Sequence, residues 1–125
     1  MRGVLIGLAA VLVGAVSFAD PAAAAPRITG LTIKVKSSAG PARVAWLTCR
    51  PAAGTHPYAA AACAALEEAD GDPSRIPADE GMCTMEYAPV TLTVRGRWEG
   101  RTVDYRKTHS NRCEMLLATG PLGRL

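Results

Sequence analysis

Four cysteines constrain the fold of this 125-residue chain more than any other feature: Cys49, Cys63, Cys83 and Cys113. An even number of cysteines in a small exported domain indicates two disulfides, which compensate for the limited core of so short a chain. Four cysteines allow three pairings, and the residues alone leave all three open. No two cysteines are close in sequence, and His56 and His109 are not at ligand spacing. We therefore expect neither a metal site nor a cofactor.

The N-terminal stretch has the pattern of a secretory signal peptide. Arg2 precedes the apolar run "GVLIGLAAVLVGAVSFA", which is too short for a comfortable membrane span, and "DPAAAAP" supplies small residues for cleavage. Cleavage after Ala24 satisfies the small-residue rule, and cleavage after Ala19 is an alternative. We predict a signal peptide over residues 1–24 and one domain over residues 25–125, secreted to the extracellular space without a membrane anchor.

Charge excludes two classes of partner. The formal net charge is +3, and the basic residues are scattered along the sequence rather than grouped. Nucleic-acid grooves and membrane-binding patches need clustered positive charge. The sequence therefore predicts neither a nucleic acid nor a membrane as a partner.

Period-two alternation of apolar and polar residues predicts strands over residues 31–36 and 42–48. Alanine, leucine and glutamate over residues 58–69 favour a helix, which "DGDP" ends. Cys63 on this helix could reach Cys49 at the end of a strand.

A β-hairpin is predicted over residues 90–98 and 101–108, with Glu99 and Gly100 as its turn. In that register Arg95 faces Asp104, a favourable pair of opposite charges. Residues 71–88 show no period, and such a long irregular stretch in a compact domain is typical of a functional loop. In the tail "MLLATGPLGRL", Gly and Pro limit any strand to a short one. These segments together predict an α+β domain with a mainly antiparallel sheet and a helix against one face.

Catalytic patterns are missing from the sequence. There is no nucleophile elbow, zinc-binding helix or glycine-rich phosphate loop. His109 and Ser110 are sequence neighbours, which rarely face one another, and Glu67 and Glu68 point apart on a helix. The chain is not expected to be an enzyme.

Several motifs, in this order and spacing around the cysteines, resemble the secreted subtilisin inhibitor family first known from Streptomyces. They are "LTC-P-GTHP" (47–57), "ACAAL" on the helix, "GDPS" (71–74), "MCTMEYAPV" (82–90), "W-G" at Trp98 and Gly100, and "SNRC" (110–113). The resemblance implies a five-stranded antiparallel sheet with two helices packed on one face. It also implies the disulfides Cys49–Cys63 and Cys83–Cys113, and a homodimer formed through the sheet.

The resemblance further implies that the chain inhibits subtilisin-type serine proteases through a rigid reactive loop. The bond between Met85 and Glu86 matches the family's reactive site, with Met85 entering the primary pocket of the protease. Residues flanking this bond would contact the protease: Gly81, Met82, Cys83, Thr84 and Tyr87. Cys113 and Pro89 would support the loop, and we expect the Asn111 side chain to hydrogen-bond it from behind.

The side chain of Met85 indicates which class of serine protease the loop would bind. Met85 suits the large apolar primary pockets of subtilisin-like and chymotrypsin-like enzymes, whereas trypsin requires a cation. The alternative to an inhibitor is a secreted, disulfide-bonded structural or ligand-binding module without a protease partner. In that case Met85 would be buried, since Met commonly fills gaps in cores.

Overall fold

The computed structural model describes residues 7, 10–18 and 27–125. Its elements are β1 (Gly30–Ser37), β2 (Arg43–Thr48), β3 (Ala53–Gly54), α1 (Ala59–Glu68), β4 (Val90–Trp98), β5 (Arg101–His109) and α2 (Arg112–Thr119), with 3-10 turns at Pro73–Arg75 and Gly120–Gly123. The strands form one sheet in the order β3-β2-β1-β4-β5, and the pairs are antiparallel. The α+β class and the five-stranded sheet with two helices are confirmed.

One face of the sheet is covered and forms the core. Alternate residues of β1 and β4 point to this face and are buried, because successive side chains of a strand point to opposite sides. The core cluster joins these strands to both helices and to the last 3-10 turn: Leu31, Ile33, Leu92 and Val94 from the strands, with Ala62, Leu66, Met115 and Leu122 from the other side. Both helices therefore lie on the same face, and the other face is left open.

The predicted hairpin is confirmed with its register. Arg95 is paired with Asp104 across β4 and β5, and Arg95 Nε donates to Asp104 Oδ1 at 3.1 Å. Glu99 has a φ of 47° and Gly100 a φ of 82°, which are the left-handed conformations that a tight hairpin turn needs.

The C-terminal tail contains a helix that the local sequence pattern did not predict, and it contains no strand. Residues 112–119 form helix α2, and the 3-10 turn follows it. Asn111 caps the helix, since its side-chain Oδ1 accepts from the backbone N–H of Glu114 at 2.9 Å. Gly120, with a φ of 53°, ends the helix, and Leu122 is then buried in the core. The other difference is the two-residue strand β3, which lies in a segment predicted to be loop.

Both disulfides implied by the family resemblance are confirmed. Cys49–Cys63 ties the end of β2 to α1, and Cys83–Cys113 ties the long irregular segment to α2. The sequence separations are 14 and 30 residues. The second disulfide is therefore the covalent link between the functional loop candidate and the domain.

Two of the motif residues have structural roles. His56 is buried, and its Nδ1 accepts from the backbone N–H of Tyr58 at 3.0 Å, so its Nε2 is the donor to the Leu122 carbonyl at 3.0 Å. Gly71, with a φ of 78°, lies against the Trp98 indole, where a Cβ atom would overlap the ring. The "GTHP" and "GDPS" motifs thus fix the connections around α1.

Residues 10–18 form neither helix nor strand, and their large apolar side chains are exposed. The predicted cleavage points after Ala19 and Ala24 lie outside the described residues. Within the described ranges, the helices are too short or too polar to cross a membrane.

Candidate functional site

Residues 77–89 form an irregular loop between the Pro73–Arg75 turn and β4. Three large side chains of this loop are exposed: Met82 with a relative exposure of 99%, Met85 with 101% and Tyr87 with 80%. Exposed large apolar side chains grouped on one segment are typical of an interaction surface. The alternative in which Met85 fills the core is wrong.

Both ends of the loop are fixed by backbone hydrogen bonds. The N–H of Asp79 donates to the carbonyl of Leu117 in α2 at 2.8 Å, and the N–H of Ala88 donates to the carbonyl of Ser110 at 2.8 Å. Between these points Cys83 is joined to Cys113 in α2. The exposed segment that contains Met85 is therefore held at three places.

Asn111 supports the centre of the loop. Its Nδ2 donates to the carbonyl of Thr84 at 3.2 Å and to the carbonyl of Glu86 at 2.9 Å. Alternate carbonyls of an extended segment point in the same direction, so one amide can reach both. Within the described residues, the Met85 carbonyl between them accepts no hydrogen bond. That carbonyl is the group that would be attacked if the bond to Glu86 were the scissile bond.

The remaining predicted site residues flank this centre. Gly81 lies against α2, where a Cβ atom would be 2.9 Å from Cδ2 of Leu117. Pro89 is half-buried and leads directly into β4. A cavity of about 300 Å³ lies between Thr84 and Glu86 and the turn between β1 and β2, and the first residues of α2 also line it. The loop is thus supported chiefly from the α2 side.

His109 is a titratable residue that is close in sequence to Asn111. It is the last residue of β5, it is buried, and among the described residues its Nε2 has no hydrogen-bond partner. Burial lowers the pKa of His109 below its ordinary value, and Lys107 acts in the same direction, whereas Glu114 opposes them. The neutral imidazole is therefore favoured two residues before Asn111.

Sequence reasoning missed the contribution of α2 to the loop. Asn111 followed by Glu114, just before the apolar run "MLLA", is a capping pattern that indicates a helix start. That pattern could have located the helix, but the contacts of Leu117 with the loop depend on the folded chain.

Within the part of the chain that the structure describes, no group of three or more His, Cys, Asp or Glu side chains could hold a metal ion. The four cysteines are all in disulfides.

Comparison with known families matches residues 25–111 to the subtilisin inhibitor-like family model. This match covers most of the chain. The chain belongs to the subtilisin inhibitor-like family. The family consists of protease inhibitors rather than enzymes, so this member is not an enzyme.

Relatives in this family include a subtilase-type protease inhibitor of Streptomyces coelicolor. It is 49% identical over 107 residues, which cover 78% of this chain and 74% of the relative. Subtilisin inhibitor-like protein 3 of the same species is 54% identical over 79 residues, which cover 62% of this chain and 74% of the relative.

A solved structure of the family is also similar. Streptomyces caespitosus sermetstatin, crystallised in complex with Bacillus licheniformis subtilisin, is 31% identical to this chain, with a TM-score of 0.61. The similarity covers 77% of this chain and 96% of sermetstatin.

Proposed function

We propose that this protein inhibits subtilisin-type serine proteases by presenting residues 81–87 as a substrate-like loop, with Met85–Glu86 as the scissile bond. One observation carries the proposal: Met85 is fully exposed between a disulfide and two carbonyls held by Asn111. Membership of an inhibitor family and the similarity to sermetstatin, which was crystallised with subtilisin, support it.

Rigidity is what makes such a loop an inhibitor rather than a substrate. Because Cys83 and Asn111 already hold the loop, little conformational entropy is lost when a protease binds it. If the bond is cut, the new amine of Glu86 stays near the acyl-enzyme, because Asn111 and the Ala88–Ser110 hydrogen bond hold its side of the loop. Religation then competes with hydrolysis by water.

The exposed side chains determine the class of protease. Met85 provides an apolar anchor for a deep primary pocket, and central anchors of this kind dominate interface energies. Met82, Thr84 and Tyr87 extend the contact on both sides. Protease–inhibitor interfaces bury roughly 1,600 Å² in total and are among the tightest known. Chymotrypsin-like enzymes with apolar pockets are secondary targets, and trypsin is not a target.

We also propose that the protein is secreted after removal of residues 1–24. The exposed apolar side chains of residues 10–18 support this, because they take no part in the core. We further propose a homodimer that forms through the open face of the sheet. Val44 and Trp46 on β2 would contribute apolar area, since their relative exposures are 60% and 54%.

A titration tests the inhibitor proposal. Residues 25–125, produced with both disulfides, should abolish the activity of subtilisin at a ratio close to one inhibitor chain per active site. Trypsin at the same concentrations should keep its activity. Inhibitor recovered after long incubation should contain one new N-terminus, at Glu86. Inhibition only at micromolar or higher concentrations, or a new N-terminus elsewhere in the loop, would be evidence against the proposal.

A further inference from the structure

The methionines of the folded domain differ sharply in their exposure to solvent. Met1 belongs to the predicted signal peptide, and the other three are Met82 and Met85 in the loop and Met115 in helix α2. The two loop side chains are fully exposed, whereas Met115 is fully buried in the core. All four cysteines are in disulfides, so the described residues offer no free thiol. The two loop thioethers are therefore the sulfur groups most accessible to a dissolved oxidant.

Hydrogen peroxide converts an exposed methionine into its sulfoxide. A lone pair of the thioether sulfur attacks one oxygen of the peroxide, the O–O bond breaks, and the other oxygen leaves as water. The sulfur is oxidised by two electrons, and the peroxide is reduced by the same two. The product is a polar group that accepts hydrogen bonds, on a side chain that was apolar before the reaction.

The shape of the loop does not depend on its two exposed methionine side chains. The loop is held by the Cys83–Cys113 disulfide, by the side chain of Asn111 and by backbone hydrogen bonds at its two ends. Neither Met82 nor Met85 belongs to the core cluster. A sulfoxide at these positions therefore changes the surface of the loop and leaves the disulfide and the hydrogen bonds in place. A sulfoxide at Met115 would lie among packed apolar side chains, but burial protects this residue from the oxidant.

We propose that Met85 is an oxidation site, and that its conversion to the sulfoxide by hydrogen peroxide weakens protease inhibition while the domain stays folded. This inference rests on the proposed function, in which Met85 enters an apolar primary pocket of the protease. A sulfoxide buried in such a pocket leaves its oxygen without a hydrogen-bond donor, which is costly in an apolar site. Met82 is oxidised as well, but it flanks the central anchor, so its sulfoxide weakens the complex less. The inhibitor thus releases protease activity where peroxide accumulates.

Residues 25–125, with both disulfides, are treated with hydrogen peroxide, which is removed by gel filtration before subtilisin is added. Peptide mapping by mass spectrometry measures the sulfoxide at each methionine, progress curves measure the inhibition constant, and thermal unfolding measures the fold. The test variant is Met85→Leu, which keeps an apolar side chain without sulfur, and Met82→Leu is the matched control. Each variant is compared with its own untreated sample, so a change in its basal inhibition does not affect the result.

We expect sulfoxide at Met82 and Met85 but not at Met115, with an unchanged melting temperature. Peroxide should raise the inhibition constant by about tenfold or more for the original protein and for Met82→Leu, and by less than about threefold for Met85→Leu. Equal weakening of both variants, unchanged inhibition by the oxidised protein, or loss of its fold would overturn the inference and leave the proposed function standing. Failure of the untreated protein to inhibit subtilisin would instead refute the proposed function, and this inference with it.

Discussion

Asn111 holds both carbonyl groups that flank Met85. Its Nδ2 donates to the carbonyls of Thr84 and Glu86, while its Oδ1 caps helix α2 through the N–H of Glu114. Each polar atom of the amide is therefore used, two hydrogens on the loop and the oxygen on the helix. One side chain couples the geometry of the candidate scissile bond to the start of α2.

Replacing Asn111 with Asp should separate these two roles. An ionised Asp still caps the helix, because carboxylates are favoured at this position, but it cannot donate to the loop carbonyls. Losing two hydrogen bonds of about 1 kcal/mol each corresponds to roughly thirtyfold faster cleavage after Met85. The cleavage rate is measured by mass spectrometry during incubation with subtilisin.

Asn111→Ala is the comparison for this prediction. It loses the cap as well, so the free energy of unfolding should fall by about a further 1 kcal/mol, while the cleavage rate rises as in the Asp variant. An Asn111→Asp inhibitor that is as resistant to cleavage as the original protein would show that the two carbonyl contacts do not protect the bond.

Met85→Lys should move the target from subtilisin toward trypsin. Lysine provides the cation that the primary pocket of trypsin requires, and the backbone of the loop is unaffected because Met85 contacts solvent. We expect trypsin to be inhibited near stoichiometry by this variant. Met82→Lys is the matched control, since Met82 is as exposed and lies in the same loop. Trypsin inhibition by both variants, or by neither, would contradict the assignment of Met85.

Opening the Cys83–Cys113 disulfide should turn the loop into a substrate. Replacing both cysteines by alanine removes one of the three points that hold the loop, so cleavage by subtilisin should become fast and complete. The rate of appearance of the Glu86 N-terminus measures this effect.

Replacing Cys49 and Cys63 by alanine controls for stability. In the chain-entropy model, separations of 14 and 30 residues give stabilisations of about 3.0 and about 3.6 kcal/mol, which are similar. The two double variants should therefore lose comparable stability, while only the variant without Cys83–Cys113 is cleaved rapidly. Equal cleavage of both would indicate that global unfolding, rather than release of the loop, exposes the bond.

The sequence predicts those parts of the fold and of the candidate site that depend on residues close together in the chain. It does not predict the parts that depend on contacts between distant residues. The hairpin register of Arg95 and Asp104 follows from local alternation and a two-residue turn, so it was predictable. The long loop was recognisable from its missing period, but the position of the candidate bond came from family resemblance. Helix α2 was missed because it has eight residues and is stabilised by a cap and by core contacts of Met115. The positive charge on the open face of the sheet depends on the pairing of distant strands, which no local pattern reveals.

Acidification should lower the stability of the folded domain through His109. Burial holds the pKa of His109 below the value of about 6.5 that it has in the unfolded chain. Below pH 6.5 the unfolded chain therefore binds more protons than the folded chain. The contribution of neutral His109 to the free energy of unfolding is complete above this pH, and it is lost as the pH falls toward the lower pKa of the folded protein. The free energy of unfolding from denaturant titrations should decline from pH 7 to pH 5, and His109→Phe should flatten this decline. An unchanged slope in the Phe variant would rule out His109 as its cause.

Self-association through the open face of the sheet should strengthen with salt. Five cations and one carboxylate of each copy point to this face: Lys34, Lys36, Arg95, Arg97 and Arg106, with Asp104. Two copies joined through the open face therefore bring together two surpluses of four positive charges. This repulsion is screened as the Debye length falls from about 10 Å at 0.1 M to about 3 Å at 1 M. Sedimentation equilibrium should therefore show a dimer Kd that decreases with NaCl concentration. Arg106→Glu should tighten the dimer at low salt, because it lowers the surplus on each face from four to two. Lys107→Glu makes the same change of charge on the opposite side of β5 and should leave the dimer Kd unaltered. A dimer that dissociates as salt is added would mean that the contact surface is not the open face of the sheet.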